Sequence, residues 1–538
     1  MAEKVLTTPG KGFLGWVERT GNRLPDPVFI FFYLIILLMI ISLTCWALGV
    51  SAQHPTQLDT GGNPVVIKAK SLLSPDNIRK FWVDMPKTFT HFPPLGYVLV
   101  AMLGAGVAER SGLFASAIRA SVRNAPRALL TPTIALIAML SNHATDAGYV
   151  VMIPLAAVIF AAAGRHPLAG IACAFAGVSG GFSANIAPGQ LDALLYGITE
   201  AGYEAAGIDG GWTANIAGNT YLIIALLIIY LPIIWWVTDK IIEPRLGTWA
   251  PDSDSDMSSY SSEEDKPLTD AQRKGLRWAL NALIGVVLLW VVMTIGPGTP
   301  LIDETACPPD DAAAGNCSPV TNYGPFFRSL VGGFLALFLF TGWAYGAAAK
   351  TINTHKDLVN MMSEAMKDMG YYLVLAFAAA HFVAMFGWSN LGLISAVHGA
   401  GVIEASGLPL PIVLGLIIVF AALLNLFVGS ASAKWALLAP VLVPMLMLLG
   451  ISPDASTAAY RVGDGATNII TPLMVYFPLV LVFAQRWKKD FGLGSLTAMM
   501  IPYSIYLLIS GIILVMAWIM LGLPFGPGAP ATIKLVTG

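Results

Sequence analysis

The chain has 538 residues, of which 56% are hydrophobic and 12% charged, with a net charge of -2. Soluble globular chains carry roughly a quarter charged residues, so this one has too little polar surface to face water on all sides, and its charge balance offers nothing to a nucleic-acid backbone. Its four cysteines are too few and too scattered for a disulfide scaffold or a zinc site.

In chain order, the first 25 residues are mixed and basic, and the apolar run that follows is too long for the core of a signal peptide. A helix rises about 1.5 Å per residue, so ~20 apolar residues cross a ~30 Å hydrocarbon core. Val28–Val50, Leu95–Ala108 with its flanks, Tyr221–Val237, Trp278–Ile295, Leu330–Ala349, Tyr371–Trp388 and Leu496–Leu523 read as single spans. Cys45 and Cys173 fall in apolar runs and read as core residues. Cys307 and Cys317 share one acidic loop and can pair if it faces an oxidising compartment.

Four segments depart from the simple span. Ala128–Gly164 is interrupted by Ser141-Asn142-His143-Ala144-Thr145-Asp146, and Leu408–Gly450 by Gly429-Ser430-Ala431-Ser432-Ala433-Lys434-Trp435. Non-helical backbone at membrane depth survives only when buried in protein or lining a wet cavity, so both read as re-entrant hairpins whose tips meet inside the protein. His166–Tyr203 and Ser456–Gln485 read as helices broken at Gly180–Pro188 and Gly463–Pro472. Each break has glycine, a small hydroxyl residue, asparagine and then proline, a composition that unwinds the helix and frees carbonyls for a cation.

With Lys4, Lys11, Arg19 and Arg23 assigned to the cytoplasm, most basic loops fall inside. The outer loop holding Lys68, Lys70, Arg79, Lys80 and Lys87 is the exception. The expected fold class is an all-α polytopic membrane protein with nine transmembrane helices, two re-entrant hairpins and broken helices at the midplane. The second half repeats the first in order and opposes it in direction, as in transporters with inverted-topology repeats. The expected organisation is residues 1–94 (an N-terminal segment, first span and outer loop), 95–240 (first repeat), 241–275 (a linker with the acidic run Pro251–Lys266), 276–369 (inter-repeat spans), 370–523 (second repeat) and 524–538 (a tail). Lys356–Lys367 and Leu391–Leu408 read as amphipathic elements packed beside the bundle.

An ionised side chain at mid-membrane costs roughly 2.5–3.5 kcal/mol on insertion scales, so it needs a reason. Arg461 and Asp464, three apart on one helical face, read either as a substrate and proton site or as a closed ion pair. Asp192 is the corresponding acid in the first half, with an interfacial position as its bland reading. Ser141, Asn142, Asn185, Ser430 and Asn468 supply neutral oxygens near the tips, suited to Na⁺ or to capping and interhelical hydrogen bonds. Trp435 is placed to stack on an aromatic ligand or to pack. Lys434 is placed to meet an anion or to snorkel, and His143 and Asp146 to relay protons or join the hairpins. No HExxH motif occurs. Gly463-Asp464 resembles the aspartate motif of intramembrane proteases, which needs glycine where Arg461 stands. A channel fits poorly with paired broken hairpins, and a ligand sensor that moves nothing stays as a second class.

The stretches SNHATDAGYVVMIP, GGFSANIAPGQLD and AYRVGDGATNIITP resemble the AbgT family of p-aminobenzoyl-glutamate transporters, along nearly the whole chain. That resemblance implies a homodimer in a bacterial inner membrane, with nine spans and two hairpins per protomer and a water-filled basin open to the cytoplasm. It places the fold beside the sodium-dicarboxylate symporters. Their Ser-Asn-Thr signature has His143 in its third position here, and the second tip has moved away to Gly429-Ser430-Ala431-Ser432. The family's functional residues fall on Asp192, Asn425, Trp435, Pro453, Arg461, Asp464 and Pro472. The expected cargo is p-aminobenzoyl-glutamate or related aromatic amides and carboxylates, including sulfonamides with the same p-aminophenyl head. Export would be driven by protons carried on Asp192 and Asp464, with Na⁺ as the other coupling ion, and sodium-coupled uptake is the alternative. No cofactor is expected; lipid is the surrounding partner, with the N-terminus cytoplasmic and the C-terminus periplasmic.

Overall fold

A computed structural model of the chain describes residues 25–59, 61–123, 129–144, 148–208, 210–249, 267–296, 298–308 and 319–535. The basic N-terminal residues, Arg127, Thr145, Asp146, the acidic run Pro251–Lys266 and Cys317 lie outside the described residues. The architecture is predominantly helical. Helix α1 (Pro27–Ala47) starts on Asp26, whose carboxylate accepts from the Val28 N–H at 2.9 Å. The outer loop then departs from the all-helical expectation. Strands β1 (Ser51–Leu58) and β2 (Pro64–Lys68) form an antiparallel hairpin in which Ser51 pairs with Lys68. Short helices α2 (Pro75–Val83) and α3 (Met85–Thr90) follow.

The first half contains α4 (Pro93–Arg110), α5 (Leu113–Arg123), α6 (Leu130–Leu140), α7 (Ile153–Ala162), α8 (Pro167–Phe175), α9 (Gln190–Ala206) and α10 (Thr220–Val237). Helices α11 (Asp270–Thr294), α12 (Gly324–Ala349) and α13 (His355–Asp368) follow. The second half contains α14 (Gly370–Trp388), α15 (Leu391–Ala405), α16 (Leu410–Asn425), α17 (Ala431–Leu448), α18 (Pro453–Thr467), α19 (Phe477–Trp487) and α20 (Leu493–Met520). The order is the same in both: a long helix, a short helix, two limbs joined at a tip, a helix in two pieces and a closing helix.

The two breaks differ in detail from the sequence reading. The first lies where expected: α8 runs through a π-helical turn, Ala176–Gly180, and helical structure resumes at Gln190. The second lies later than expected. Helix α18 continues through Gly463, Asp464 and Gly465 to Thr467, and the irregular stretch begins at Asn468. Gly463 serves close packing, since a Cβ there would meet the Ala421 side chain at 3.0 Å and collide with the Ile418 carbonyl of α16.

Among the described residues, seven helices are long and apolar enough to cross a membrane: α1, α10 continued to Leu246, α11, α12, α14, α17 and α20. Helix α4 and the start of α5, bent by 64°, make an eighth if taken as one span. The expected count of nine is not reached by length and hydropathy alone. The two broken helices are cut into short pieces, while α17, expected as a hairpin limb, is long enough to span. Helix α15 is mostly apolar rather than amphipathic, with His398 and Glu404 in its second half, and its exposure grows towards its C-terminal end instead of around its circumference.

Two large hydrophobic cores hold the molecule together. One packs α6, α7, α8, α10, α16, α18, α19 and α20; the other packs α1, α9, α14, α15 and α17. The chain passes from the first core to the second at the break between α8 and α9 and at the tip between α16 and α17, so these non-helical pieces lie where the cores meet. Helices α11 and α12 pack on α4 through a smaller cluster that includes Ala105, Ala279 and Phe338. Cys45 and Cys173 are free thiols, and Cys307 is disulfide-bonded.

Close backbone approach is the weak point of this packing. A Cβ at Gly177, in the π turn, would lie 2.6 Å from Ala138 Cβ and 3.0 Å from the Ala135 carbonyl. Overpacking of this kind costs about 1–3 kcal/mol. Gly177→Val is therefore expected to lower the thermal unfolding midpoint of detergent-purified protein, whereas Gly285→Val on α11, where nothing lies within 4 Å, leaves it in place.

Candidate functional site

All fifteen residues of α18 are buried. A helix with polar residues and no face in water must satisfy them inside the protein. Asp454, Thr457, Arg461 and Asp464 follow one another at three- and four-residue spacing and so share one face. Ser452 caps the helix by accepting from the Ala455 N–H at 3.2 Å, and Pro453 occupies the first helical position, where its missing N–H costs nothing.

Each polar residue on that face meets a partner from another helix. Arg461 Nη1 donates to Asp192 Oδ1 at 2.7 Å, and both side chains are buried. Asp192 stands in the first turn of α9, where its other oxygen accepts from the Gly189 N–H at 2.8 Å, so the carboxylate that meets Arg461 also starts the second half of the first broken helix. Asp464 forms a buried ion pair with Lys434 of α17, and Lys434 also donates to Asn425 Oδ1. Thr457 hydrogen-bonds Thr199 of α9 at 2.8 Å. Asp454 Oδ1 accepts from the Tyr196 hydroxyl and Oδ2 from Trp212 Nε1, each at 2.9 Å.

Arg461 and Asp464 are therefore not partners. Each is paired with a residue outside α18, and the closed i,i+3 pair is replaced by two pairs that tie α18 to α9 and to α17. Asp192 is buried, not interfacial. Lys434 neither snorkels nor waits for an anion, because its ammonium group already holds Asp464. The pairs are single-point: Asp464 Oδ2 and Arg461 Nε have no hydrogen-bond partner.

The first break crosses α18. Ser183 Oγ donates to the Arg461 carbonyl at 3.0 Å. A Cβ at Gly465 would lie 3.2 Å from Phe182 and 3.4 Å from the Gly180 carbonyl. Each break also backs onto a hairpin tip. Asn142 Nδ2 and Asn185 Nδ2 both donate to the Met139 carbonyl, at 2.9 and 3.5 Å, while Ser141 Oγ donates to the Ala138 carbonyl at 2.6 Å. His143 Nε2 lies 3.2 Å from the Pro188 carbonyl. At the second tip Asn425 Nδ2 reaches Asn468 Oδ1 at 2.8 Å, Thr467 Oγ1 at 3.0 Å and the Asp464 carbonyl at 2.7 Å. Thr471, just before Pro472, faces the Leu426 carbonyl at 3.4 Å.

The expected cation ligands divide accordingly. Ser141, Asn142 and Asn185 each donate to a backbone carbonyl near the first tip, those of Ala138 and Met139. At the second tip the Lys434 ammonium lies against Asn425 and Asp464, so a tethered cation is already there. Ser430 faces its own helix, capping α17 by accepting from the Ala433 N–H at 3.3 Å. Trp435 is fully buried with its ring stacked on Tyr460, centroids 4.5 Å apart, and its Nε1 donating to Thr199 at 2.9 Å.

A cavity of about 660 Å³ opens beside the first tip and first break, lined by Val98, Met102, Asn142, Tyr149, Phe182, Gln190, Leu191, Leu194 and Tyr372, with Glu109, Arg110, Asp368 and Met369 also on its wall. Its size suits a drug-sized ligand. Of the sequence-predicted residues only Asn142 lines it; Asp192 follows Leu191 directly but turns to Arg461. Along the α4–α9–α14 seam the cavity leads to a pocket of only about 10 Å³, sharing Leu194 and Tyr372 and bordered by Ser432 and Ala433 of the second tip. A second cavity of about 410 Å³ follows, sharing Phe92 with the pocket and lined also by Lys80, Lys87, His91 and Trp388. Sequence reasoning missed Tyr149, Phe182, Gln190 and Asp454. The first three sit in or beside motifs already singled out, whereas Asp454 looked like an ordinary first-turn acid after Ser452-Pro453.

A family model described as "AbgT putative transporter family" matches residues 12–533. The chain is 37% identical over 519 residues to the p-aminobenzoyl-glutamate transport protein of Escherichia coli (strain K12), covering 96% of each chain. Among solved structures it is similar to the YdaH transporter of Alcanivorax borkumensis, with a TM-score of 0.82, 40% identity and coverage of 94% of this chain and 100% of that one. It is also similar to MtrF of Neisseria gonorrhoeae, presented as illuminating a class of antimetabolite efflux pumps, with a TM-score of 0.85, 40% identity and coverage of 96% and 100%.

Breaking a buried pair by removing one partner costs about 3–5 kcal/mol, because an uncompensated charge stays behind. Lys434→Met is expected to destabilise the purified protein by that order, read as a lowered unfolding midpoint. Combining it with Asp464→Leu restores most of the loss.

Proposed function

The chain belongs to the AbgT family and is therefore a membrane-embedded transporter, not an enzyme, and on that footing we propose that it exports p-aminobenzoyl-glutamate-like aromatic carboxylates and sulfonamide-type antimetabolites in exchange for protons. The observation that carries the proton coupling is the pair of buried salt bridges, Asp192–Arg461 and Asp464–Lys434, that tie α18 to α9 and to α17. Protonation of either aspartate neutralises one side of its pair and loosens its hold on α18, and loss of the proton restores the pair. In an exchange cycle substrate and proton occupy the protein alternately, so the substrate is carried outward with the pairs closed and the protein returns with an aspartate protonated.

The 660 Å³ cavity holds the aromatic part of the cargo. Tyr149, Phe182 and Tyr372 offer ring faces in place of the buried Trp435, and Asn142 and Gln190 offer amide groups. The narrow seam between Leu194, Tyr372 and the Ser432–Ala433 tip is the closed gate between a cytoplasmic basin and an outer vestibule. In this reading each repeat contributes a re-entrant hairpin and a broken helix in opposed orientation, the protein works as a homodimer in a bacterial inner membrane, and the tips rock against the fixed α18. Ser141, Asn142 and Asn185 would hold one Na⁺, a positive charge in the first tip equivalent to Lys434 in the second. Sodium-coupled uptake is the second reading, favoured by that oxygen cluster.

Proteoliposome flux separates the two. An imposed pH gradient, and not a Na⁺ gradient, is expected to drive movement of p-aminobenzoyl-glutamate, with Asp464→Asn abolishing its pH dependence. Unchanged flux and pH dependence in Asp464→Asn would remove that residue as a carrier. An aromatic contact contributes about 0.5–1.5 kcal/mol beyond its area. Phe182→Ala should accordingly raise the Kd for p-aminobenzoyl-glutamate by roughly two- to tenfold, measured by tryptophan quenching or calorimetry.

A further inference from the structure

Among the described residues, the buried charged side chains other than histidines are the carboxylates of Asp192, Asp454 and Asp464 and the cations of Lys434 and Arg461. The carboxylates outnumber the cations. Two are matched by the salt bridges above, and Asp454 is left with neutral donors only, Tyr196 on one oxygen and Trp212 on the other. A buried carboxylate without a counter-ion is not tolerated in ionised form unless a proton or cation joins it. No cluster of three metal-binding side chains occurs among the described residues.

We infer that Asp454 is a third proton-binding site of the transporter, one that keeps the buried charge balanced and exchanges protons with the solvent beside the neighbouring non-helical segment. The inference rests on the proton-coupled reading for its role in transport, but not for the existence of the site. Its surroundings accommodate both protonation states without moving a heavy atom. The Tyr196 hydroxyl donates to a carboxylate and accepts from a carboxylic acid, while Trp212 keeps donating to the second oxygen.

The connection to the transport machinery runs along one face of α18. Asn219 Nδ2 donates to the Asp454 carbonyl at 3.0 Å, and Asn219 Oδ1 lies 3.4 Å from Arg461 Nη1. The titratable groups facing Asp454 are thus Tyr196 of α9 and, across Asn219, Arg461 with its partner Asp192. Any event that draws Arg461 off Asp192 alters the field at both carboxylates. The route outward passes Trp212, which is half-buried between exposed Gly211 and Thr213. Asp464, at the other end of the same face, is enclosed by Lys434, Tyr460 and Asn425. A proton taken up at Asp454 therefore enters the core at the end of α18 opposite the hairpin tips.

Infrared difference spectroscopy of the purified full-length protein, with its aspartates isotopically labelled, tests the site without any transport. A protonated-carboxyl stretch is expected in the wild type at neutral pH, absent from Asp454→Asn and retained in Asp464→Asn. Persistence of that band in Asp454→Asn, or its absence from the wild type, overturns the assignment. If Asp454→Asn does not fold, Tyr196→Phe carries the test: it should displace the pH midpoint of the band, and an unmoved midpoint is equally fatal. Wild-type proteoliposomes under a pH gradient give the second arm. If the band behaves as expected but no proton-driven flux occurs, the site stands and the coupling reading falls. If flux is proton-driven but the band does not depend on Asp454, only this inference falls.

Discussion

The charged residues on one face of a fully buried helix set the terms for the rest of this molecule. Helix α18 has no exposed surface on which to leave Arg461 or Asp464, and an isolated ion in such an interior costs far more than the fold has to spare. The neighbouring helices must therefore present Asp192 and Lys434 at matching positions. Asp192 is available because α9 begins in mid-core, where its carboxylate also accepts from the Gly189 N–H. Lys434 is available because α17 starts three residues earlier, at Ala431. The broken helix and the tip are thus consequences of placing charge inside.

The two hydrophobic cores explain why the charged layer sits where it does. Helices α8 and α16 belong to one core, while α9 and α17, their continuations after a break and a tip, belong to the other. Backbone that leaves the helix at this boundary finds partners there: the Asn185 N–H reaches the Ile223 carbonyl at 3.1 Å, and Ser183 reaches the Arg461 carbonyl. A shift of one core against the other would act first on these contacts and on the two salt bridges. It would also act on the narrow seam near Leu194 and Tyr372, where Ser432 and Ala433 stand. The ion pairs and the seam are close neighbours along the chain: Asp192 and Leu194 both lie on α9, and Ala433 and Lys434 both on α17.

The halves are equivalent in order but not in chemistry. The first tip gathers Ser141, Asn142 and Asn185 around backbone carbonyls, a neutral oxygen cluster. The second has a lysine ammonium against Asn425 and Asp464. A covalently attached ammonium group, unlike a bound metal ion, cannot diffuse away from its site.

Much of this was legible before any coordinates. A hydrophobic run of twenty residues has few alternatives to a spanning helix, so α1, α10, α11, α12, α14 and α20 lie close to their expected places. Glycine, asparagine and proline together mark a helix that stops, and the first break falls where they predict. The second does not, because Gly463 and Gly465 allow close approach to Ile418 and Phe182 rather than unwinding, and sequence alone does not distinguish these uses of glycine. The same limit applies to charge. Sequence placed Arg461 and Asp464 in a membrane-embedded helix and left Asp192 and Lys434 open between the interior and the membrane interface. Their burial, and which acid meets which base, were decided only by the tertiary structure: Asp192 and Arg461 stand 269 positions apart along the chain, and an ion pair requires a few ångströms in space irrespective of that separation.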